Sequence, residues 1–308
     1  MSLTLRQIRY FIAVSESGKM SAAAASLGVS QSAITEALKA LETDTGAKLL
    51  RRHRSGVSLT REGYQFLREA RRVMSAVADA TQAVRAAPTR PAGRFTLGVS
   101  YTVAGYFLPQ LLARFRRAFP EVEVALIEQE RAAIEGLLDA GRLDMGMILT
   151  GNLRSKQLDA DVLIRSKRRL WLPANHRFLR QKRVTLSDVA EEPYIMLTVD
   201  EAAKTARRYW RQAKLAPKVV FETASVEAVR DMVAHGMGVA ILSDMVYRPW
   251  SLDGDRVEAR ALSDAVPSMD VALVWKRDGA LSEGAAAFAE FCGFTCNAPA
   301  AARLPLGR

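Results

Sequence analysis

The sequence predicts an α/β protein in which a winged helix-turn-helix and a long helix precede a two-lobed domain. Three observations support this prediction. Residues 21–43 carry the pattern of two short helices that meet at an angle. Residues 61–87 repeat apolar positions in steps of three and four, as one long helix does. From residue 95 the pattern changes to short apolar strands that alternate with amphipathic helices.

The first element is a helix over residues 3–18. Leu5, Ile8, Phe11, Ile12 and Val14 fall mostly on one helical face. Gly18 is expected to end it, because glycine accepts the left-handed conformation of a helix C-terminus.

The next two helices form the predicted helix-turn-helix. Ser21 is expected to cap the first, Gly28 to make the turn, and Ser30 to cap the second. The second helix has an apolar stripe made of Ala33, Ile34, Ala37, Leu38 and Leu41. The residues left facing outward are Gln31, Ser32, Thr35, Glu36 and Lys39. Short polar side chains at a helix N-terminus suit base edges in a DNA major groove, although a solvated helical hairpin has the same spacing.

Residues 48–60 read as a hairpin of two short strands that turn around His53 to Gly56. Arg51, Arg52 and Arg54 lie close to the turn. A solvated turn is the simpler interpretation, but three arginines beside a recognition helix favour a wing that contacts phosphate or the minor groove.

The long helix carries a coiled-coil seam formed by Leu67, Ala70, Met74, Val77, Thr81 and Val84. Such a seam needs a partner, and a second copy of the chain would supply one. Pro88, Pro91 and Gly93 then indicate a hinge. The expected domains are 1–60 for the winged helix-turn-helix, 61–90 for the linker helix and hinge, and 91–308 for the two lobes. Lobe I is expected at about 91–165 and 266–300, and lobe II at about 166–265.

Strands are predicted at 95–100, 122–129, 143–149, 194–198, 218–223, 239–243 and 269–276, with helices between most of them. This alternation predicts parallel sheets with helices on both faces. Ligands of such sheets bind beyond the carboxyl ends of the strands. The polar residues expected there are Ser100, Tyr101, Thr102, Gln129, Thr150, Thr198 and Ser225. Each hydroxyl alone is more often a helix cap, but their convergence would favour a small-molecule site, with Tyr101, Phe107 and Met147 as its apolar wall.

Composition narrows the function classes. The net charge is +11, and residues 1–90 hold 14 Lys and Arg against 7 Asp and Glu, which favours a polyanionic partner for the N-terminal part. Cys292 and Cys296 form neither a disulfide framework nor a metal motif, so no metal and no cofactor are expected. No secretion signal, membrane span, phosphate-binding loop or nucleophile motif is visible, which indicates a cytoplasmic protein that is not an enzyme and has no membrane partner.

Four segments resemble the N-terminal domain of LysR-type transcriptional regulators, namely RQIRYFIAV, SAAAASLGVSQSAIT, ALKALETDTGAKLLRR and GVSLTREG. GYFLPQLLARFRRAFPEVEV, LDMGMIL and VRDMVAHGMGVAILS resemble the effector domain of the same family. The resemblance implies a winged helix-turn-helix that binds double-stranded DNA, a linker-helix dimer, and a Rossmann-like two-lobed domain similar to periplasmic binding proteins. It also implies a homotetramer and a small effector, often an organic anion, between the lobes, and RNA polymerase is a further candidate partner.

By this resemblance the DNA contacts fall on Gln31, Ser32, Thr35 and Arg52. The family usually has Ser-Arg where Thr35 and Glu36 stand, so a cationic contact is replaced by a carboxylate that phosphate repels. Two alternatives stay open. A solute-binding protein without a DNA role would need a secretion signal, and a doubly wound enzyme would need a catalytic motif.

Overall fold

The computed structural model describes residues 3–53, 56–85, 91–153, 155 and 157–296. It divides into two compact units, residues 1–88 and 89–308. The first unit contains α1 (Leu5–Ser17), α2 (Met20–Leu27), α3 (Gln31–Thr45), β1 (Leu50–His53), β2 (Gly56–Leu59) and α4 (Arg61–Arg85). β1 and β2 pair antiparallel as the predicted hairpin.

The caps of the first three helices explain their bounds. Gly18, Gly28 and Gly46 end α1, α2 and α3 with φ values of 67°, 66° and 65°. The Ser30 hydroxyl accepts from the Ala33 amide at 3.1 Å, which confirms the predicted cap of α3. The predicted Ser21 cap is wrong. The turn at Gly18 starts α2 already at Met20, because this places the Met20 side chain in the core.

One core holds this unit together. Ile8, Phe11, Ile34 and Leu38 are all at least 97 % buried in it. Burial of each such side chain contributes about 1.5–3 kcal/mol to folding. The spacing of apolar residues on α1 and α3 therefore predicted the buried faces correctly, apart from Leu5, which is exposed.

The N-terminal part of α4, its root, also belongs to this core. Phe66 packs edge-on against Phe11 with ring centroids 5.1 Å apart, and Ala70 is 98 % buried. A β-carbon on Gly63 would lie 2.0 Å from the Leu49 carbonyl oxygen, so only glycine permits this approach.

The expectation that the whole seam of α4 awaits a partner is therefore wrong for its first half. Leu67, Ala70 and Met74 pack against the chain's own core. Val77 is 36 % exposed, and the side chains of Thr81 and Val84 lie outside the part of the chain that the structure describes.

The second unit contains two lobes. Its helices are α5 (Tyr101–Tyr106), α6 (Leu108–Ala118), α7 (Arg131–Asp139), α8 (Leu186–Ala190), α9 (Ala202–Gln212), α10 (Val226–Ala234) and α11 (Glu283–Thr295). Its strands are β3 (Gly93–Val99), β4 (Val122–Glu128), β5 (Met145–Leu149), β6 (Leu158–Ser166), β7 (Arg168–Pro173), β8 (Pro193–Leu197), β9 (Lys218–Thr223), β10 (Ala240–Ser243), β11 (Val257–Arg260) and β12 (Met269–Lys276).

Lobe I is built on a five-stranded sheet of order β4-β3-β5-β12-β6, in which β3 runs parallel to β4 and β5. β12 runs antiparallel to both of its neighbours, so the sheet is mixed and not wholly parallel as predicted. Lobe II contains the parallel pair β8-β9 and the antiparallel set β10-β7-β11. A parallel bridge between Tyr194 and Val239 joins the two groups of strands.

Two crossings connect the lobes. The chain passes from β6 into β7 through Lys167, and it returns from β11 to β12 through residues 261–268. β6, β7 and β11 were absent from the sequence-based prediction, which left residues 150–193 unassigned. The strand β12, by contrast, was predicted with its observed bounds.

Candidate functional site

Helix α3 presents a polar surface opposite its buried stripe. Gln31, Ser32, Glu36 and Lys39 are exposed, whereas Thr35 is half-buried. The Thr35 hydroxyl donates to the Gln31 carbonyl at 2.9 Å, so part of its hydrogen-bonding capacity is used within the helix. The first turn of α3 therefore offers a hydroxyl and an amide, and its second turn adds one acid and one base.

The β1-β2 hairpin belongs to the same unit as α3, and its Arg51 and Arg52 are exposed. Arg54 lies outside the described residues. The hairpin is docked at its tip by the Val57 amide, which donates to the Gly18 carbonyl at 2.8 Å.

Glu42 fixes the base of the same hairpin to α3. Its carboxylate accepts from the Leu49 and Leu50 amides at 2.9 and 3.1 Å and from Lys48 at 2.8 Å. Burial opposes ionisation of Glu42, but these donors outweigh it and lower its pKa. The carboxylate therefore ties the end of α3 to the first strand of the hairpin.

The second unit holds a cavity of about 70 Å³ between its two lobes. Lobe I contributes Ser100, Thr102, Arg131, Leu149, Gly151, Met269 and Asp270. Lobe II and the crossings contribute Arg168, Leu197, Val199, Asp200, Glu201, Ala202, Thr205, Ala206, Arg208, Tyr209, Ile241, Leu242, Ser243, Val246, Pro267 and Ser268.

Ser100 lies directly after β3 and is 99 % buried. It precedes α5, but its side chain does not cap that helix. Among the described residues its hydroxyl oxygen has no hydrogen-bond partner. Leaving a buried hydroxyl unpaired costs about 1–3 kcal/mol, so this group is expected to bond something that enters the cavity.

Asp200 and Glu201 bridge the lobes. The Thr102 amide donates to the Asp200 carboxylate at 2.6 Å. Arg131 donates to Glu201 at 3.0 Å and also contacts Glu135. Burial opposes ionisation of Glu201, but donation from Arg131 and Lys204 outweighs it and lowers the pKa of this carboxyl.

Asp200 and Glu201 have φ values of 49° and 60°. Left-handed backbone costs a residue other than glycine about 1–2 kcal/mol. Two consecutive residues hold this conformation, and both side chains reach across to lobe I. The interlobe contacts therefore offset a backbone that is unfavourable locally.

Arg168 opens β7 at the crossing between the lobes. Its Nη1 atom donates to the carbonyls of Pro267 and Ser268, the latter at 2.6 Å, so it links the two crossings. Burial lowers the pKa of this guanidinium from its ordinary value. Within the described ranges it forms no ion pair with a carboxylate.

Tyr209 on α9 completes the wall near Arg168. Its hydroxyl lies 3.3 Å from the Tyr194 hydroxyl, and burial raises its pKa well above the ordinary value. It is therefore a neutral phenol that can donate or accept a hydrogen bond.

Of the seven polar residues predicted to converge on a ligand site, Ser100 and Thr102 line this cavity. Tyr101, Gln129, Thr150, Thr198 and Ser225 do not line the cavity. Tyr101 is 49 % exposed, because it follows Ser100 on the outer side of the short helix α5. Ser225 caps α10 through the Ala228 amide at 3.1 Å, which is the simpler role that a hydroxyl there can have.

Gln129, Thr150 and Thr198 are used elsewhere as well. The Gln129 amide continues the sheet by donating to Val99, and the Thr198 amide donates to Thr223. The Thr150 hydroxyl donates to the Asp270 carbonyl at 3.4 Å, so Thr150 supports a cavity residue without reaching the cavity.

The residues predicted as an apolar wall, Tyr101, Phe107 and Met147, do not line this cavity. Met147 is fully buried in the core of lobe I, and Phe107 packs against that core. The observed apolar wall consists of Leu149, Leu197, Ile241, Leu242, Val246 and Met269. Six charged residues of the wall were missed, since their positions depend on how the two lobes meet. They are Arg131, Arg168, Asp200, Glu201, Arg208 and Asp270.

Across the described part of the chain, no group of three or more His, Cys, Asp or Glu side chains is arranged to hold a metal ion. Burial raises the pKa of Cys292 well above its ordinary value and that of Cys296 to about 11. Both thiols are therefore protonated at neutral pH. In the same described residues, no helix is long and apolar enough to cross a membrane.

Comparisons with known proteins agree with both units. Residues 5–64 match the model of the bacterial regulatory helix-turn-helix protein, lysR family, and residues 88–296 match the LysR substrate binding domain. An uncharacterized HTH-type transcriptional regulator of Escherichia coli, YnfL, is 31 % identical, with 90 % of this chain and 93 % of the relative covered.

Two further proteins extend the comparison. The HTH-type transcriptional regulator ClcR of Pseudomonas putida is 32 % identical over 79 % of this chain and 84 % of its own. The crystal structure of HinK, a LysR family regulator from Pseudomonas aeruginosa, has a TM-score of 0.60 at 30 % identity and covers 94 % of this chain and 97 % of its own. The chain therefore belongs to the LysR family of transcriptional regulators, which bind DNA through the helix-turn-helix under the control of a small effector.

Proposed function

We propose that this LysR-family regulator reads its operator with α3 and the β1-β2 wing and responds to a small organic acid bound between its lobes. The observation that carries the effector assignment is the buried Ser100 hydroxyl, which lines the interlobe cavity and has no partner among the described residues.

At the DNA surface, Gln31, Ser32 and Thr35 are assigned to base edges, because they lie at the N-terminal end of α3 opposite its buried stripe. Lys39 and Arg52 are assigned to phosphates, since a flexible cation contacts the backbone without reading sequence. Glu36 is exposed on the same helix and can accept from a cytosine amino group. The resulting operator preference should include a G·C pair opposite Glu36.

The effector would act on the bridge between the lobes. A ligand in the cavity touches groups from both lobes, and Asp200 and Glu201 in the cavity wall also hold the lobes together. A ligand that binds the closed arrangement better than the open one shifts the equilibrium by its difference in affinity. Ligand binding is therefore coupled to lobe closure.

The LysR family oligomerises, and two surfaces support a homotetramer for this chain. On α4, Val73 is 40 % exposed although its neighbour Met74 packs against the core, which fits a linker-helix dimer on the other face of the helix. β4 and β9, which both lie at a sheet edge, also expose apolar side chains, namely Leu126, Ile127, Val219, Val220 and Phe221. Two distinct self-contacts on one chain generate a dimer of dimers.

A gel-shift assay with the DNA upstream of the chain's own gene tests the DNA role. A specific complex that dissociates on adding excess operator, but not on adding random DNA, is expected. Equal competition by both DNAs would reject sequence-specific recognition.

Thermal-shift screening of organic acids against wild type and Ser100→Ala tests the effector site. Acids are expected to stabilise wild type and to lose most of this effect on Ser100→Ala. Ser187→Ala is the matched control, because Ser187 is an exposed serine of lobe II that does not line the cavity. Equal stabilisation of all three proteins would place the effector elsewhere.

A further inference from the structure

The interlobe cavity carries unsatisfied groups of both charges. We propose that its ligand is a small zwitterionic amino acid, with its carboxylate on Arg168 and its ammonium on Asp270 and Ser100. This inference rests on the proposed function, because it takes the cavity as the effector site and specifies which class of organic acid the cavity accepts.

Arg168 supplies the positive half of the site. Its Nη1 atom is held by the carbonyls of Pro267 and Ser268, so the guanidinium is fixed in orientation. For the part of the chain that the structure describes, its Nε and Nη2 atoms make no hydrogen bond. A guanidinium that lines a cavity with one edge free suits a carboxylate, which can accept two parallel hydrogen bonds from it.

Asp270 supplies the negative half. One carboxylate oxygen is buried and has no hydrogen-bond partner among the described residues. Its other oxygen lies 3.9 Å from Arg165, at the limit of an ion pair. An acceptor of this kind is satisfied by a ligand that brings an N–H or O–H donor, and an ammonium is the donor that also matches its charge.

Ser100 adds a third unsatisfied group to the same cavity. Its hydroxyl is 99 % buried and can accept a hydrogen bond from the ammonium. Thus a cation, an anion and a hydroxyl, each from a different strand end, line one small space. A simple monocarboxylate would satisfy Arg168 and leave the Asp270 oxygen unpaired.

The balance of charges in the cavity wall also favours a zwitterionic ligand. Among the described residues, three cations and three anions line the cavity, namely Arg131, Arg168, Arg208, Asp200, Glu201 and Asp270. Arg131 and Glu201 are paired with each other, and the Asp200 carboxylate already accepts from Thr102. A wall with no net charge accepts a zwitterion without leaving a buried charge uncompensated, whereas a monoanion leaves one.

The size of the cavity limits the ligand further. A volume of about 70 Å³ has room for roughly five to seven water-sized groups. Glycine, alanine and serine fall in this range. The apolar side chains of Leu149, Ile241 and Val246 would contact a short side chain such as that of alanine.

Isothermal titration calorimetry on the full-length protein tests this proposal. The probes are glycine, L-alanine and L-serine, together with propionate, which lacks the ammonium of alanine, and ethylamine, which lacks its carboxylate. We expect the best of the three amino acids to bind at least tenfold more tightly than propionate or ethylamine, because each of these probes leaves a buried partner unpaired.

Two variants assign the ends of the ligand. Arg168→Met should abolish amino-acid binding, and Asp270→Asn should weaken it while improving propionate binding relative to wild type. Arg180→Met and Asp253→Asn are matched controls, because both residues are exposed and neither lines the cavity. Arg168→Lys provides a second variant that keeps the charge at the crossing but loses the two-pronged geometry, and it should bind weakly.

The possible outcomes are separable. If propionate binds as tightly as alanine and Asp270→Asn changes neither, the zwitterion proposal is overturned while an organic-acid effector in the cavity stands. If amino acids bind Arg168→Met and Asp270→Asn as tightly as they bind wild type, the ligand does not occupy this cavity and both proposals fail. If none of the probes binds wild type, the zwitterion proposal is again overturned, and the wider acid screen on Ser100→Ala decides the organic-acid site.

Discussion

Replacing Asp200 tests whether the bridge between the lobes stabilises the effector domain. The Asp200 carboxylate accepts from the Thr102 amide at 2.6 Å, and the residue has φ 49°. A hydrogen bond to a charged group contributes about 1.5–3 kcal/mol and one between neutral groups about 0.5–1.5 kcal/mol. Asparagine tolerates the left-handed conformation, so Asp200→Asn isolates the charge and should cost about 1 kcal/mol.

Asp200→Ala should cost more, for two reasons. It removes the whole hydrogen bond, and alanine is strained at this φ because it has no side-chain group that can bond the local backbone. Together these effects amount to about 3 kcal/mol. For a domain of this size each kcal/mol lowers the melting temperature by about 2–4 °C, so we expect losses of about 2–4 °C for asparagine and about 6–12 °C for alanine.

Differential scanning calorimetry of the full chain measures these shifts. Asp253→Ala is the control, since Asp253 is an exposed acid of lobe II outside the cavity wall. Melting temperatures of both Asp200 variants within 1 °C of wild type would refute the reasoning, because the interlobe bond would then contribute nothing to the folded domain.

The remaining predictions concern the DNA-binding unit. Arg52→Ala should weaken binding to all DNA sequences and make the salt dependence of binding shallower. Gln31→Ala should instead lose roughly 1–3 kcal/mol of discrimination per base pair read. Filter binding at several salt concentrations separates the two effects, and equal losses of affinity for operator and random DNA would reject the role of Gln31. Val77→Asp places a charge in the proposed dimer contact of α4 and should shift the sedimentation coefficient toward the monomer, while an intact dimer with normal operator affinity would exclude this contact. The pKa of Glu42 is lowered in the folded state, so the ionised carboxylate stabilises the fold above its ordinary pKa, and this stabilisation is lost as the pH falls through the folded-state pKa. Glu42→Gln should therefore make the loss of helical circular dichroism below about pH 5 less steep. An unchanged pH profile would contradict this role of Glu42.

Much of the DNA-binding unit could be predicted from sequence because its signals are local. Ser30 caps α3 through a residue three positions away, and Gly28 ends α2 by its own backbone conformation. A cap and a left-handed glycine need no knowledge of the rest of the fold. The first half of the α4 seam was misassigned for the opposite reason, since a helical stripe shows which face is buried but not what covers it.

The cavity was only partly predictable, because most of its residues are defined by long-range contacts. Arg168 lies in the basic run Lys167 to Arg169, a pattern that is typical of a solvent-exposed segment. It lines the cavity only because the chain crosses between the lobes at this point. Asp200 lies in a segment that reads as the start of a helix, and its left-handed backbone carries no sequence signal such as glycine. Hydroxyls after strands were visible in the sequence, yet several of them cap helices or lie beside the cavity wall.

The burial of the α4 root has a mechanical consequence for the regulator. Phe66 and Ala70 share one core with α1 and the recognition helix, and Gly63 brings α4 against the carbonyl of Leu49. The N-terminal part of α4 is therefore packed rigidly against this core, and α4 and α3 rotate together as one body. A rotation of α4 by a few degrees about the proposed dimer contact would move the recognition helix by the same angle. In such a dimer, the angle between the two α4 helices would set which operator half-site spacing the protein can reach.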